Sequence, residues 1–370
     1  SLHDALPIYY VHSFLIMSSM HKRLGFILSL LLVCLTICGQ PTTTHAASKN
    51  RKAVATRNLS HPIALSEDAK IYLLTCTPGN EVWSKYGHTG IQVQDKSNNL
   101  DIVFNYGIFS LMDDDFYIKF IKGDTYYQLG IESYRYFQRF YQSIGRATYW
   151  QELNLNQTQK QQIFDALIIN YRPENRFYLY NFVFDNCATR PYHLIKNALQ
   201  DSIISTYTGY LNQPYRTAIS HYTGPQSWVD FGINLIFGKR ADQLMNNEQR
   251  LFLPEELMFY LAEAQLSDGT PLVKNQHIQA FNIARVPWYA NCWTGITALA
   301  IKQICINIID RRRGKISWWI DLVVGVISII LLVIVIFLTF FSSHPLVGFN
   351  WRLILLPVIH LCARIIYWLR

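Results

Sequence analysis

Two residues of this chain have the types and neighbours of a nucleophile and its base. Cys187 lies in "FVFDNCATRP", and His88 lies in "KYGHTGIQV", well upstream. A cysteine thiolate is a strong nucleophile, and a histidine can accept its proton near neutral pH. Together they would form a Cys/His pair that attacks an electrophilic carbon. A disulfide between Cys187 and Cys76 is the competing interpretation, and spacing alone leaves both open.

The base would be positioned by a β-hairpin. The stretch "GHTGIQVQDKSNNLDIVFNYG" alternates apolar and polar residues around a polar turn, which predicts two paired strands. His88 would open the first strand. With a turn centred near Ser97 and Asn98, Asn105 and Tyr106 would come within reach of His88 near the end of the second strand. We therefore predict that Asn105 orients His88, because a catalytic imidazole needs a partner that fixes its tautomer.

The nucleophile would be positioned by the start of a helix. Asp185 or Asn186 is a good N-cap, so Cys187 would lie in the first turn of the following helical pattern. Free N–H groups and the helix dipole there predict a lowered thiol pKa, and Arg190 would add to this effect. Pro191 favours a helix start one or two residues later.

The amino end reads as an export signal. Met20 is followed by basic residues, an apolar stretch and a small-residue exit near Ala46 or Ala47. We interpret residues 1–47 as upstream residues plus a signal peptide or uncleaved anchor, and residues 48–287 as an exported domain. A stretch of this length is sufficient to form a hydrophobic core.

The carboxyl end, residues 288–370, reads as a membrane region. The segment "ISWWIDLVVGVISIILLVIVIFLTFF" is long and apolar enough to span a bilayer. "WYANCWTGITALAIKQICINII" and "LILLPVIHLCARIIYWL" are weaker candidates, which gives about three helices and leaves open a truncated membrane region. Because "DRRRGK" should remain cytoplasmic, "SSHPLVGFNWR" should lie on the outer face together with the exported domain.

Composition narrows the classes of partner. The formal net charge is +8, but the basic residues are scattered, and their densest run is the juxtamembrane "RRRGK". This pattern favours membrane headgroups over nucleic acid. Cysteines and histidines show no zinc spacing, so we expect neither a metal nor another cofactor.

A series of motifs, in order, resembles one family. They are "LLTCTPGNEVWSKYGHTGIQV", "DIVFNYGIF", "FYIKFIKGDTYY", "YQSIGRATYWQELNL", "PENRFYLYNFVFDNCATRP", "FGKRAD", "FLPEEL" and "FFSSHPLVGFNW". On these motifs the chain resembles the Bacteroides-type lipoprotein N-acyltransferase family, Lnb. The resemblance covers most of the chain.

The resemblance implies a fold and a reaction. The fold would be α+β, a permuted papain-like (NlpC-like) periplasmic domain followed by transmembrane helices in the inner membrane. Cys187 and His88 would move an acyl chain from a membrane phospholipid to the α-amine of a diacylated lipoprotein. Residues flanking the pair would contact the substrate, namely Tyr86, Tyr106, Asn186 and Arg190.

Two other functions use the same residues. A papain-like amidase or endopeptidase acting on cell-wall peptides would need the same Cys/His pair. A non-catalytic, membrane-anchored assembly factor would instead contain the Cys76–Cys187 disulfide.

Overall fold

The computed structural model describes residues 63–109, 116–200, 203–314 and 317–350. All of them belong to one compact unit. The predicted export signal and the last predicted apolar span, "LILLPVIHLCARIIYWL", lie outside these residues. The domain boundaries near residues 47 and 287 stay predictions.

An antiparallel sheet forms the centre of the described domain. The strands are β1 (Lys70–Cys76), β2 (His88–Asp95), β3 (Leu100–Ile108), β4 (Tyr126–Ser133), β5 (Thr148–Leu153), β6 (Phe177–Leu179), β7 (Ile204–Ser205), β8 (Ala264–Gln265) and β9 (Val273–His277). The strand order in the sheet is β6-β4-β3-β2-β1-β5-β9, and the two short strands β7 and β8 pair separately.

Helices cover both faces of this sheet. The helices before the membrane region are α1 (Phe116–Lys122), α2 (Tyr134–Ser143), α3 (Gln157–Tyr171), α4 (Thr189–Ala198), α5 (Tyr215–Thr223), α6 (Trp228–Ile236) and α7 (Pro254–Ala262). Leu73 and Phe104 face a core that includes residues of α3, α4 and α7, whereas Leu74 and Val103 face residues of α2. Consecutive strand residues point to opposite faces, so a strand covered on both sides has a nearly continuous apolar sequence, as β1 does.

The predicted hairpin is present with the predicted turn. Asp95 pairs with Leu100, so residues 96–99 form the turn. The Asp95 carboxylate holds it by accepting hydrogen bonds from the backbone N–H groups of Ser66 and Asn98 and from both of their side chains. The first strand of the hairpin, β2, begins at His88, as predicted.

A capping box begins helix α3. The Asn156 side chain accepts from the Gln159 N–H, and the Gln159 side chain accepts from the Asn156 N–H. Ile163, Phe164 and Leu167 form an apolar stripe on this helix, and all three are buried in the main core.

Two helices at the carboxyl end are long and apolar enough to cross a membrane. They are α8 (Cys292–Arg313) and α9 (Trp318–Phe341), with mean hydropathies of 1.4 over Cys292–Arg313 and 3.3 over Leu322–Phe341. Gly314 ends α8 in the left-handed conformation, directly after three arginines. The third predicted span falls on residues that the structure does not describe.

The segment after α9 packs back onto the sheet domain, as its predicted outer position requires. Ser343 N–H donates to Lys122 O at 2.7 Å, which satisfies a carbonyl at the end of α1. Farther on, Asn350 Nδ2 donates to Leu235 O at 3.0 Å near the end of α6. The last carbonyls of a helix have no partner within the helix. Residues 342–350, the docking loop, therefore cap two helices of the exported domain.

Candidate active site

The site forms where strands β2 and β3 separate. Their ladder pairs Ile91 with Phe104, but it does not continue to His88, although both strands extend further. On its other edge, β3 has an irregular register with β4 between Asn105 and Ile108. Gly107 lies in this irregularity at φ +87°, a conformation that L side chains rarely adopt. The end of the hairpin is therefore open.

Gly107 also shows that the predicted nucleophile and base face each other. A Cβ placed on Gly107 would lie 3.7 Å from Cys187 Cβ and 3.9 Å from His88 Cε1. Two side chains nearly a hundred residues apart in sequence thus approach one point. The two side chains make no hydrogen bond with each other. In catalytic pairs such a hydrogen bond often forms only when substrate binds.

Asn186 holds the turn that contains Cys187 and precedes helix α4. Its Oδ1 accepts from the N–H groups of Ala188 at 2.8 Å and Thr189 at 2.9 Å, and its Nδ2 donates to the carbonyls of Phe182 and Phe252. Helix α4 begins at Thr189 with Ala188 at its N-cap position, so the prediction that Cys187 lies in the first helical turn was wrong, whereas the later start that Pro191 favoured is confirmed. Pro191 fits this first turn because its missing N–H would have no intrahelical partner.

Asn105 sets the orientation of His88. Asn105 Oδ1 lies 2.6 Å from His88 Nε2, and Asn105 Nδ2 donates to Glu132 Oε1 at 3.0 Å. An ionised carboxylate can only accept, so Glu132 forces the amide nitrogen toward itself and the amide oxygen toward His88. His88 therefore carries its proton on Nε2. The lone pair of Nδ1 is left to accept a proton from the thiol.

The ionisation of Cys187 differs from the expectation drawn from its helix position. Burial raises the pKa of the Cys187 thiol to about 11, although the backbone N–H groups of Thr89 and Cys187 and the charge of Arg146 act in the opposite direction. The prediction of a lowered pKa was wrong because desolvation of the thiolate outweighs the N–H groups. Cys187 is consequently a neutral thiol at pH 7.

His88 is also neutral at pH 7. Burial lowers the pKa of its imidazole to about 4, against the hydrogen bond that His88 donates to Asn105 Oδ1 and with the help of the positive charge of Arg146. A neutral imidazole beside a neutral thiol can act as a general base at the moment of attack. The arrangement supports proton transfer coupled to nucleophilic attack instead of a standing ion pair.

The alternative prediction, a disulfide between Cys76 and Cys187, does not hold in the structure. Cys76 and Cys187 are both free thiols. Cys76 is fully buried on the α2 face of the sheet, where its Sγ lies 3.8 Å from Thr148 Oγ1.

The four residues predicted to contact substrate have protein partners. Tyr106 is fully buried, and its hydroxyl accepts from Asn170 Nδ2 at 2.9 Å. Arg190 forms a bidentate pair with Asp185, at 2.5 and 2.7 Å. Tyr86 packs against the ring of Phe182, and every polar side-chain atom of Asn186 is engaged as described above. Their roles in substrate binding stay predictions.

Sequence reasoning missed two residues around the base. Glu132 reaches Asn105 because β4 pairs with β3 so that Glu132 is opposite Val103. Arg146 lies with its guanidinium carbon 4.8 Å from the centre of the Tyr141 ring, and that ring stacks on His88 at 6.1 Å between centroids. The pairing of β3 with β4 and the packing of α2 are tertiary features, so no local sequence signal could have placed these two side chains.

Comparison with known proteins places the chain in a family. Residues 63–218 match the Lnb N-terminal periplasmic domain, and residues 291–370 match the Lnb transmembrane domain. No curated protein and no solved structure matches. The two matched regions together span well over half of the 370 residues, and the chain therefore belongs to the Lnb family, as a membrane-anchored protein with a periplasmic domain.

Proposed function

We propose that this protein is a lipoprotein N-acyltransferase. It takes an acyl chain from a membrane phospholipid, holds it as a thioester on Cys187, and passes it to the α-amine of the lipidated N-terminal cysteine of a diacylated lipoprotein. Membership of the Lnb family associates the protein with lipoprotein maturation. The observation that carries the finer proposal is the approach of Cys187 and His88 to one point beside Gly107.

The first half-reaction is acylation of the enzyme. His88 Nδ1 takes the thiol proton as Cys187 Sγ bonds to the ester carbonyl carbon, which gives a tetrahedral oxyanion. Asn186 already occupies the N–H groups of Ala188 and Thr189, so the candidate oxyanion donors are the N–H groups of Cys187 itself and of Thr89, which act on the Cys187 sulfur. The intermediate then collapses with cleavage of the ester C–O bond. His88 gives its proton to the departing alkoxide, and a lysophospholipid leaves.

The second half-reaction transfers the acyl chain to nitrogen. The acceptor amine attacks the thioester carbonyl as a free base, and His88 removes a proton from the nitrogen. The C–S bond breaks, and the thiolate of Cys187 regains its proton from His88. The products are an amide and the original thiol, so the pair is ready for another turnover. Asn105 keeps His88 in one tautomer through both halves.

The attachment to the membrane supports lipid substrates. The docking loop joins α9 directly to the end of α1, and α1 exposes Ile118, Phe120 and Ile121 at 58%, 40% and 44% of their surfaces. Apolar residues beside a transmembrane helix are suited to contact with a bilayer surface. Since donor and acceptor are both anchored in lipid, a tethered site confines the search to that surface.

The order of the catalytic residues supports the expected permuted papain-like relationship. The strand that begins with the histidine precedes the turn that contains the cysteine, and an asparagine immediately precedes that cysteine. A polar side chain on the neighbouring strand holds the histidine. This relationship is part of the proposal, because it rests on the arrangement of the site alone.

Mass spectrometry of a reporter lipoprotein tests the function. The reporter is produced in cells without other N-acyltransferases, together with the unmodified protein or its Cys187→Ala variant. We expect a third acyl chain on the amino-terminal lipopeptide only with the unmodified protein. A reporter that stays diacylated, with both proteins expressed and membrane-inserted, would contradict the proposal. Release of cell-wall peptide fragments would then favour the amidase, and inactivity in both assays would favour the assembly factor.

A further inference from the structure

Arg146 is a buried cation without an anionic partner. Its residue is 8% exposed. Its Nε donates to Thr77 O at 2.5 Å, but its Nη2 is buried without a hydrogen bond. No carboxylate of the described chain lies within ion-pair distance of it.

Among the described residues, a second buried arginine shows how unusual a buried guanidinium without a carboxylate partner is. Arg250 is fully buried, and its Nη1 lies 3.2 Å from Glu256 Oε2. Its Nη2 also donates to Tyr207 O and Asn247 Oδ1. An unpaired charge in a protein interior is strongly destabilising, so buried charges are normally paired. The environment of Arg250 follows this rule, and that of Arg146 does not.

The position of Arg146 links this unpaired charge to the candidate active site. The Arg146 guanidinium carbon lies 4.8 Å from the centre of the Tyr141 ring, and the His88 ring stacks on the same Tyr141 ring at 6.1 Å between centroids. The hydrogen bond to Thr77 O ties it to the residue after Cys76, and Cys76 pairs with His88 across β1 and β2. The charge of Arg146 also lowers the pKa values of His88 and Cys187, so it acts on both reacting side chains.

We propose that Arg146 binds the phosphate group of the phospholipid acyl donor. The inference rests on the proposed function and adds a binding role for the headgroup. A guanidinium forms strong, charge-assisted hydrogen bonds with phosphate oxygens. The phosphate and the acyl esters of a phospholipid share one glycerol unit, so a phosphate at Arg146 would hold an ester near the neighbouring Cys187 and His88. The donor would thus supply the missing anion.

Matched donors with and without phosphate test the proposal. The full chain is assayed in mixed micelles with a synthetic diacylated lipopeptide as acceptor. The donor is either phosphatidylglycerol or diacylglycerol with the same acyl chains. We compare the unmodified protein with Arg146→Gln, Arg146→Lys and Arg139→Gln. Arg139 is an exposed cation on α2, so its variant removes the same charge without touching the site.

We expect a loss that depends on the donor. Arg146→Gln should lower kcat/KM for phosphatidylglycerol by about 10- to 100-fold, mainly through KM, because it removes charge-assisted hydrogen bonds. It should lower transfer from diacylglycerol much less, because with that donor only the effect of the Arg146 charge on His88 and Cys187 is lost. Arg146→Lys should recover part of the loss, and Arg139→Gln should behave like the unmodified protein. Thermal unfolding of each variant establishes that the compared proteins are folded.

Other outcomes would overturn the inference. An equal loss with both donors would mean that Arg146 acts on the charge of Cys187 and not on phosphate. No loss with either donor would give Arg146 no role in donor binding. If the unmodified protein used both donors equally, the phosphate role would fail while the acyl-transfer function stood. Failure of the unmodified protein with both donors would instead remove the proposed function itself.

Discussion

Cys76 lies directly opposite His88 in the ladder between β1 and β2. A cysteine and a histidine in this position could be taken for the reactive pair. However, the Cys76 side chain is fully buried, and burial raises the pKa of its thiol to about 12. Cys187 keeps partial solvent exposure and has backbone N–H groups beside its sulfur. Burial and backbone surroundings therefore distinguish the two cysteines, and they favour Cys187 as the proposed nucleophile.

The two cysteines should respond differently to substitution. Cys187→Ala should abolish acyl transfer, because the thioester can no longer form. Cys76→Ala should keep activity within about tenfold, at a stability cost of about 1 kcal/mol for a small cavity. The measurement is intact-protein mass spectrometry of the acyl-enzyme formed from phospholipid without acceptor. An acyl adduct that persists in Cys187→Ala and vanishes in Cys76→Ala would reverse the assignment.

Glu132 should matter through the way it orients Asn105. Glu132→Gln keeps an oxygen that can accept from Asn105 Nδ2, so activity should stay close to normal. Glu132→Leu removes that acceptor and allows the Asn105 amide to rotate, which should lower kcat by about tenfold or more. Asn105→Ala should lose at least as much.

The pH profile distinguishes orientation from a purely structural effect. If Asn105 and Glu132 fix the tautomer of His88, their variants should lower kcat at all pH values and should alter the acid limb of the profile. Equal kcat values for Glu132→Leu and the unmodified protein, at equal stability, would show that Glu132 does not position the base.

The ionisation of the site gives a prediction about alkylation. Iodoacetamide reacts with the thiolate, so its rate reports the charged fraction of Cys187. Burial raises the thiol pKa to about 11. The alkylation rate should therefore climb with pH and reach half its maximum at a pH well above the usual pKa of a cysteine thiol. A plateau that extends down to neutral pH would mean that the thiolate already exists there. The Cys187→Ala variant gives the background from other cysteines.

The protonation of His88 should set the rate of Cys187 acylation at acidic pH. The pKa of His88 is lowered to about 4, so the imidazole is neutral above that value and protonated below it. Acylation of Cys187 should therefore change little between neutral pH and about pH 5, and it should fall as the pH drops through 4. Rapid acid quench and measurement of the thioester test this limb. A midpoint near 6.5 would show that the imidazole titrates like one in solvent.

Gly107 should be required for space as well as for conformation. Gly107→Ala places a methyl group near both Cys187 and His88, and it forces an L residue to φ +87° at a cost of about 1–2 kcal/mol. Gly269→Ala is the matched control, since Gly269 has φ +81° and nothing within 4 Å of its added Cβ. Both variants should lose similar stability in denaturant unfolding, but only Gly107→Ala should lose acyl transfer. Similar activities in the two variants would contradict a role for this space.

The sequence was informative where interactions are local. The alternation around "DKSNN" predicted the register that brings Asn105 to His88, and Pro191 indicated the later start of helix α4. Glu132 and Arg146 were not predictable, because they enter the site through strand pairing and helix packing across the fold. The thiol pKa was predicted in the wrong direction for a related reason. Helix position can be read from sequence, whereas the extent of desolvation depends on tertiary burial.

The docking loop should matter for lipid substrates more than for soluble ones. Gly238 lies against the loop, and a Cβ there would lie 3.0 Å from the Cα of Gly348. Gly238→Ala should therefore push the loop off the end of α6, with a local cost of about 1–3 kcal/mol. Gly232 lies within α6, and a Cβ added to it would have no neighbour within 4 Å, so Gly232→Ala is the matched control.

Two substrates of different solubility test this relationship. Transfer from a phospholipid in vesicles should fall in Gly238→Ala, because the loop no longer holds the domain against the membrane region. Thioester formation from a water-soluble short-chain ester should stay near normal, because the contacts among His88, Asn105 and Cys187 do not involve the loop. Gly232→Ala should be unaffected in both assays. An equal fall with both substrates would mean that the loop supports the fold of the site itself, and delivery of the lipid would then need another explanation.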